Sequence, residues 1–365
     1  MVSLPAHLVA TPVLERLTAG LRGARPGARD GELEGVVLGV GGTAAWVDLD
    51  GFVVAITTRE VPLLPNAIAL AAGSGALAGA GAGSGGTARL GPGQVTLGSL
   101  QVTWDPTAPP SWDPTVPVLT GVARQAVAAR GAALFGAMRA GAGAEARARG
   151  RQSGPEQREL GPEQGSGPVR GQGPELVQEL VRELSLMGLA TANDPDGVAG
   201  LTLLFRAVGK RDPEPARVAV RHLLGRGPGL TPEGDDLLAA VAGTLAVLGP
   251  AIDPPAPPHE PPPPDRFRST APPEPPGDPL LAALRPVPGR TTGLSATLLA
   301  LALDRRLPEP AGRLLDFSPL GEAAWPAALA RLERLGHGSG RAYAAGITAT
   351  ACLVGSGDGM AVSVP

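Results

Sequence analysis

Gly225-Arg226-Gly227-Pro228-Gly229-Leu230-Thr231-Pro232-Glu233-Gly234-Asp235-Asp236 runs directly into the apolar stretch Leu237 to Leu248. A turn poor in side chains, ending in Thr-Pro and followed by apolar residues, predicts a helix start. Thr231 suits the N-cap and Pro232 the first helical position. Glu233, Asp235 and Asp236 then fall in the first turn, where the helix dipole favours negative charge. Capping needs one acid rather than three, and it does not need the glycines. The stretch therefore marks both a helical half of the chain and a candidate site. Backbone N–H groups in such a turn can hold an anion. Asp235 and Asp236 would repel a bare phosphate unless a metal or a cationic group lay between them. They could instead accept hydrogen bonds from the N–H groups of an amide substrate. The Walker ending Gly-Lys-Ser/Thr is missing, which counts against a nucleotide-binding protein.

Two similar turns lie downstream. Thr291-Thr292-Gly293-Leu294-Ser295 precedes the apolar run Ala296 to Leu303, and Thr291 or Thr292 can cap that helix. Gly336-His337-Gly338-Ser339-Gly340-Arg341 precedes Ala342 to Leu353. His337 is the one histidine of four set in such a loop. Its ordinary pKa near 6.5 suits a general acid or base. Ser339 lacks the Gly-x-Ser-x-Gly elbow of a hydrolase nucleophile. Convergence of the three helix starts would make one polar pocket in an apolar bundle. The candidate catalytic residues are thus Asp235, Asp236 and His337. The candidate substrate-binding residues are Gly227, Gly229, Thr231, Gly234, Thr291, Thr292, Ser295, Gly338, Ser339 and Gly340. Asn66, in Pro62-Leu63-Leu64-Pro65-Asn66-Ala67-Ile68, is a further candidate that could reach a shared cleft or simply cap a turn. The cofactor is open. A divalent metal, if any, would rest on Asp235 and Asp236.

The rest of the C-terminal half reads as helical. Helices are expected over Glu175 to Met187, Leu201 to Leu224, Gly293 to Leu303, Glu322 to Leu335 and Arg341 to Val354. Residues 151–174 repeat Gly, Pro, Gln and Glu and read as a flexible insert. Residues 252–279 are Pro-saturated and read as a surface excursion. Val116 to Arg149 reads as a helical connection. Before it, Glu34 to Thr103 reads as β structure. Two β-rich runs flank Asp50-Gly51, and two more flank Gly98-Ser99; both are hairpin signals. The expected fold class is α+β. A small N-terminal β-sandwich or partial barrel (1–115) precedes the connection (116–150), the insert (151–174) and a mostly α-helical domain (175–365).

Composition narrows the function class. The 365 residues are 43% hydrophobic but only 3% aromatic, so the core must rest on Ala, Leu and Val. The net charge is −3, and no basic tail or patch is visible, which argues against nucleic acid. Cys352 is the single cysteine, so no intrachain disulfide can form, and a reducing cytoplasm is the expected location. Met1 to Thr11 does not read as a signal peptide. Leu237 to Leu248 is shorter than the roughly 20 residues that a bilayer requires, so no membrane span is expected.

The segment Gly227-Pro228-Gly229-Leu230-Thr231-Pro232-Glu233-Gly234-Asp235-Asp236 resembles the signature of the AllH-like family of oxamate carbamoyltransferase subunits, once a domain of unknown function. That family usually has Ser where Glu233 stands. The segments Thr291 to Ala296 and Gly336 to Gly340 resemble the family's second and third blocks, with Arg341-Ala342 where an acidic residue is common. The Pro65-Asn66 turn resembles its N-terminal half. The resemblance implies a subunit of a multi-subunit enzyme of allantoin catabolism, with other carbamoyltransferase subunits as partners and a small anionic or amide substrate. That enzyme exchanges a carbamoyl group between oxalurate with phosphate and oxamate with carbamoyl phosphate. A non-catalytic scaffold or a small-anion-sensing subunit is the alternative.

Overall fold

The computed structural model describes residues 2–22, 32–152, 170–171, 173–252, 278–287, 289–336, 338–356 and 362–363. The fold is α+β, an N-terminal barrel followed by a helical region. The strands are β1 (Val2–Ala10), β2 (Leu33–Val40), β3 (Ala44–Leu49), β4 (Phe52–Thr57), β5 (Ala67–Leu70), β6 (Thr87–Gly91), β7 (Gln94–Leu97) and β8 (Leu100–Thr103). They hydrogen-bond in the order β5-β4-β3-β2-β6-β7-β8-β1, and β1 also pairs with β5, which closes the ring.

The expected sandwich is therefore corrected to a closed eight-stranded barrel. The reason lies in β1, over which no strand was expected. Its residues Val2 to Pro5 pair parallel with β8, and Ala6 to Val9 pair antiparallel with β5 across an irregularity at Ala6 and Leu8. One long strand thus covers both edges that a sandwich would leave open. Both expected hairpins are present. Asp50 and Gly51 join β3 to β4 with φ of 53° and 82°, the left-handed pair that a type I′ turn demands. Leu97 pairs with Leu100 across Gly98-Ser99.

The lumen is packed solid, as expected for an eight-stranded barrel. Val37, Val47, Val54, Ile56, Ile68, Leu90, Val95 and Val102 fill it. Helix α1 (Thr11–Arg22) adds Val13 and Leu17 to the same cluster. Alternation along β4 sends Val54 and Ile56 inward, while Val53 and Ala55 join separate clusters with side chains beyond the barrel.

The helical region begins at α2 (Arg124–Gln152), eight residues later than the sequence suggests. Pro117 and Gly121 break the pattern, and Val116 to Ala123 run irregularly. There Val116 donates its N–H to Arg305 O and Leu119 to Val247 O. Then come α3 (Pro174–Leu186), a 3-10 turn over Ala190–Asn193, α4 (Pro195–Lys210), α5 (Pro213–Leu223), α6 (Glu233–Ile252), α7 (Pro279–Ala283), α8 (Gly293–Leu303), α9 (Glu309–Leu314), α10 (Pro319–Glu333) and α11 (Ser339–Ser356). Helices α6 and α11 form the centre, with α2 against α11 and α8 against α6. Gly340 and every residue from Ala342 to Ser356 on α11 are buried, so this helix has no solvent face. Small residues make such close burial sterically possible. No helix among the described residues is long and apolar enough to cross a membrane. Residues 153–169 of the expected insert and 253–277 of the Pro-rich excursion lie outside the described residues. Arg170–Gly171 pair with Val362–Ser363 as a two-stranded ribbon.

Barrel and helices are joined through the outer face of β4. Val53 donates its N–H to Thr297 Oγ1 on α8 at 3.0 Å, and Val53 O accepts from Asn66 Nδ2 at 2.8 Å. Leu294 and Leu298 of α8 pack on the Val53 side chain. We expect Thr297→Val to leave the buried Val53 N–H without an acceptor and to cost about 1–3 kcal/mol. Urea unfolding checks this; a loss under about 0.5 kcal/mol would show that the contact does not hold the two parts together.

Candidate functional site

The three glycine-rich turns meet. Thr231 Oγ1 lies 2.9 Å from Ser339 Oγ, tying the approach to α6 to the start of α11. Thr292 Oγ1 donates to Leu230 O at 2.5 Å, and Thr291 Oγ1 donates to Asp235 Oδ2, tying the approach to α8 to the same turn. Thr292 is also the N-cap of α8, accepting from Ser295 N at 3.1 Å. Thr231 is not the cap of α6, as the sequence suggests. The helix begins at Glu233, and Pro232 O accepts the N–H groups of Asp235 and Asp236. The Thr231 hydroxyl is turned to Ser339 instead.

The three acids have separate roles. Glu233 reaches out of the turn and accepts from Ala190 N at 3.2 Å and Thr191 N at 2.7 Å. It thereby caps the 3-10 turn that follows α3. Asp235 is satisfied on both oxygens, by Gly225 N at 2.7 Å and by Thr291. Gly225 has φ of 74°, and a Cβ there would meet Arg290 O at 2.5 Å. Gly234 is equally constrained, because a Cβ would stand 2.2 Å from Leu223 O. These glycines serve close packing of the turn. Gly227, Gly229 and Leu230 remain exposed at the surface.

Asp236 differs from both. It is 3% exposed, and its Oδ2 is buried without a hydrogen-bond partner among the described residues. Its carboxyl lines a cavity of about 170 Å³ between the helices and the outer face of the barrel. That is well above the ~10–15 Å³ needed for one water. Thr231, Ser339 and Tyr343 also line the cavity and bring hydroxyls to it. Ala44 and Trp46 of β3, with Leu230, Leu294, Leu298 and Leu335, supply apolar lining.

Burial pushes the Asp236 carboxyl up to about 8; the Ser339 and Thr231 hydroxyls oppose that rise, and the charges of Asp235 and Glu233 add to it. Asp235 is also raised by burial, against the bonds from Thr291, Gly225 and Ser295. Burial, with the Asp236 charge, raises Tyr343 as well. The site is a place where a proton is held on a carboxyl at neutral pH.

Not every candidate reaches the cavity. Asn66 is fully buried under β4 and does not line it; its amide serves Val53. His337 lies outside the described residues. Gly338 and Gly340 start α11, where a Cβ on Gly340 would collide with Leu332 O. Ser295 is buried beside Asp235, and its hydroxyl is turned toward that carboxyl. Tyr343 and Trp46 escape sequence reasoning. The signal for Tyr343 was nevertheless there, since the chain's single tyrosine stands one helical turn after Ser339. Cys352 is buried and its thiol is pushed up to about 12, which suits a core residue.

A divalent metal does not fit these donors. Hard cations take six or more oxygens, and Asp235 has both of its oxygens bonded already. Among the described residues, no group of three His, Cys, Asp or Glu side chains is placed to hold a metal. No protein family, curated protein or solved structure matches this chain.

The raised Asp236 value has a consequence for stability. The fold binds this proton more tightly than the unfolded chain, whose ordinary value is 3.8. The stabilisation is whole below that value and is lost as pH rises toward about 8. We expect wild-type unfolding free energy to fall across this window and Asp236→Asn to flatten most of the fall. Urea unfolding between pH 4 and pH 9 checks it; an Asn variant with an unchanged slope would contradict the assignment. (Those limits run from roughly the unfolded value to about one unit above the folded one.)

Proposed function

We propose that this chain is a subunit of a carbamoyl-transferring enzyme and that its inter-domain cavity holds the carbamoyl group of a small substrate. The observation that carries the reading is that Asp236, a buried residue with one carboxyl oxygen unpartnered among the described residues, lines that cavity. A carbamoyl group offers N–H donors, which such an oxygen accepts. In oxalurate phosphorolysis the bond from carbamoyl carbon to nitrogen breaks, and a bond to phosphate oxygen forms. The leaving nitrogen must gain a proton. A carboxyl titrating near pH 8 is protonated at neutral pH and can supply it. It takes the proton back in the reverse direction, when oxamate nitrogen attacks carbamoyl phosphate.

The starts of α6, α8 and α11 bring three positive helix ends to one rim, which favours the oxygen charge that develops on the carbamoyl carbon's substituents. No lysine or arginine is among the described residues lining the cavity. The phosphate is therefore assigned to groups outside this cavity, which suits a chain that works with other subunits. The resemblance of the Asp-Asp turn to the AllH-like signature points the same way.

The test is the complex recovered from the native host through a tag on this chain, assayed for carbamoyl transfer. Asp236→Asn should lower turnover by about 100-fold or more while leaving subunit recovery intact and thermal stability no lower than that of the wild type. Wild-type turnover in the folded Asn variant would overturn the role of Asp236. Ligand binding by a complex that never turns over would favour the sensing subunit.

A further inference from the structure

We infer that the ligand of this cavity is an N-substituted carbamoyl compound, a ureido head on a hydrocarbon or aromatic body, rather than a bare small anion. The inference rests on the reading of Asp236 as the group that holds a carbamoyl head. What it adds is the other end of the ligand. Most of the described lining is hydrocarbon, including Trp46 from β3, Leu294 and Leu298 from α8, Leu335 just after α10, and Leu230 from the glycine-rich turn. Leu230 is 40% exposed, and Trp46 and Leu335 are half-buried, so this wall keeps apolar surface open around the cavity.

Charge leads to the same chemistry. Among the described lining residues Asp236 is the only carboxyl and no side chain is basic. Oxalurate and oxamate are anions that would lose their hydration against leucine and tryptophan and gain no counter-charge here, so within the carbamoyl reading the substrate is one that carries an apolar group in place of the oxalyl. A neutral head that donates N–H, followed by an apolar body, meets a matching surface at both ends. Pockets for small molecules commonly pair a few placed polar groups with an apolar lining in this way. The hydroxyls of Thr231, Ser339 and Tyr343, grouped beside Asp236, complete the polar end for the carbonyl oxygen of the head.

The test is calorimetric titration of the full chain with methylurea, ethylurea, propylurea, butylurea and phenylurea, alongside oxamate and butylammonium. The expected result is binding that tightens about fourfold for each added methylene, the factor equivalent to ~0.8 kcal/mol of transfer free energy, until the cavity is filled. Leu230→Ser, a change on an exposed turn, should flatten that length dependence. Asp236→Asn should weaken the whole series without changing its slope. Binding of oxamate with no binding of any alkylurea would overturn the inference and leave the carbamoyl reading standing. Binding of butylammonium but not butylurea would overturn the carbamoyl head, and the proposed function with it. Absence of binding by every probe would overturn both.

Discussion

A carboxyl group in an apolar cavity has lost the water that would hold its charge, and at Asp236 the protein supplies no full replacement. Ionising such a group costs several kcal/mol. The architecture around it reads as a response to that cost. The residue sits in the first turn of α6, where the helix dipole favours negative charge, and the starts of α8 and α11 are drawn to the same point. Hydroxyls from Thr231 and Ser339 stand beside it. Asp235, one residue earlier, works in the other direction, since its charge makes ionising Asp236 harder. A single well-placed arginine would remove the strain on the proton. Its absence among the described lining residues leaves a carboxyl that holds or releases a proton near neutral pH.

The barrel enters this account as a wall. A buried apolar cluster fills its lumen, and the surface it gives to the cavity is the outer face of β3. Closure by β1 makes that face rigid, because no strand edge remains free to shift. Thr297 and Asn66 then fix the Val53 backbone between barrel and helices. A cavity between two packed bodies needs this rigidity on both sides if a ligand is to be positioned rather than merely admitted.

Local chemistry made some of this legible in the sequence. Asp50-Gly51 and Gly98-Ser99 announced their hairpins because two-residue turns demand particular backbone angles. Thr292 announced a cap, and Asp235-Asp236 announced more acid than capping requires. Distance in the chain hid the rest. The pairing of β1 with both β5 and β8 joins residues some 60 to 100 positions apart, and no local pattern records it. Thr231 was read as a cap because a Thr-Pro pair usually is one; Ser339, more than 100 residues away, claimed its hydroxyl. Asn66, behind a rigid proline, reads locally as a ligand group or a turn cap, yet a strand backbone takes its amide. Glu233 falls in the same helical turn as the two aspartates, and no local pattern records its bonds to the 3-10 turn after α3.

The central claim is that Asp236 is a buried, proton-holding carboxyl open to a ligand. Carbon-13 NMR of the aspartate carboxyls, with Asp236 assigned through its Asn variant, tests it most directly. The account expects a resonance titrating near pH 8 that moves when butylurea is added. A resonance titrating near the ordinary aspartate value of about 3.9, and unmoved by ligand, would contradict it.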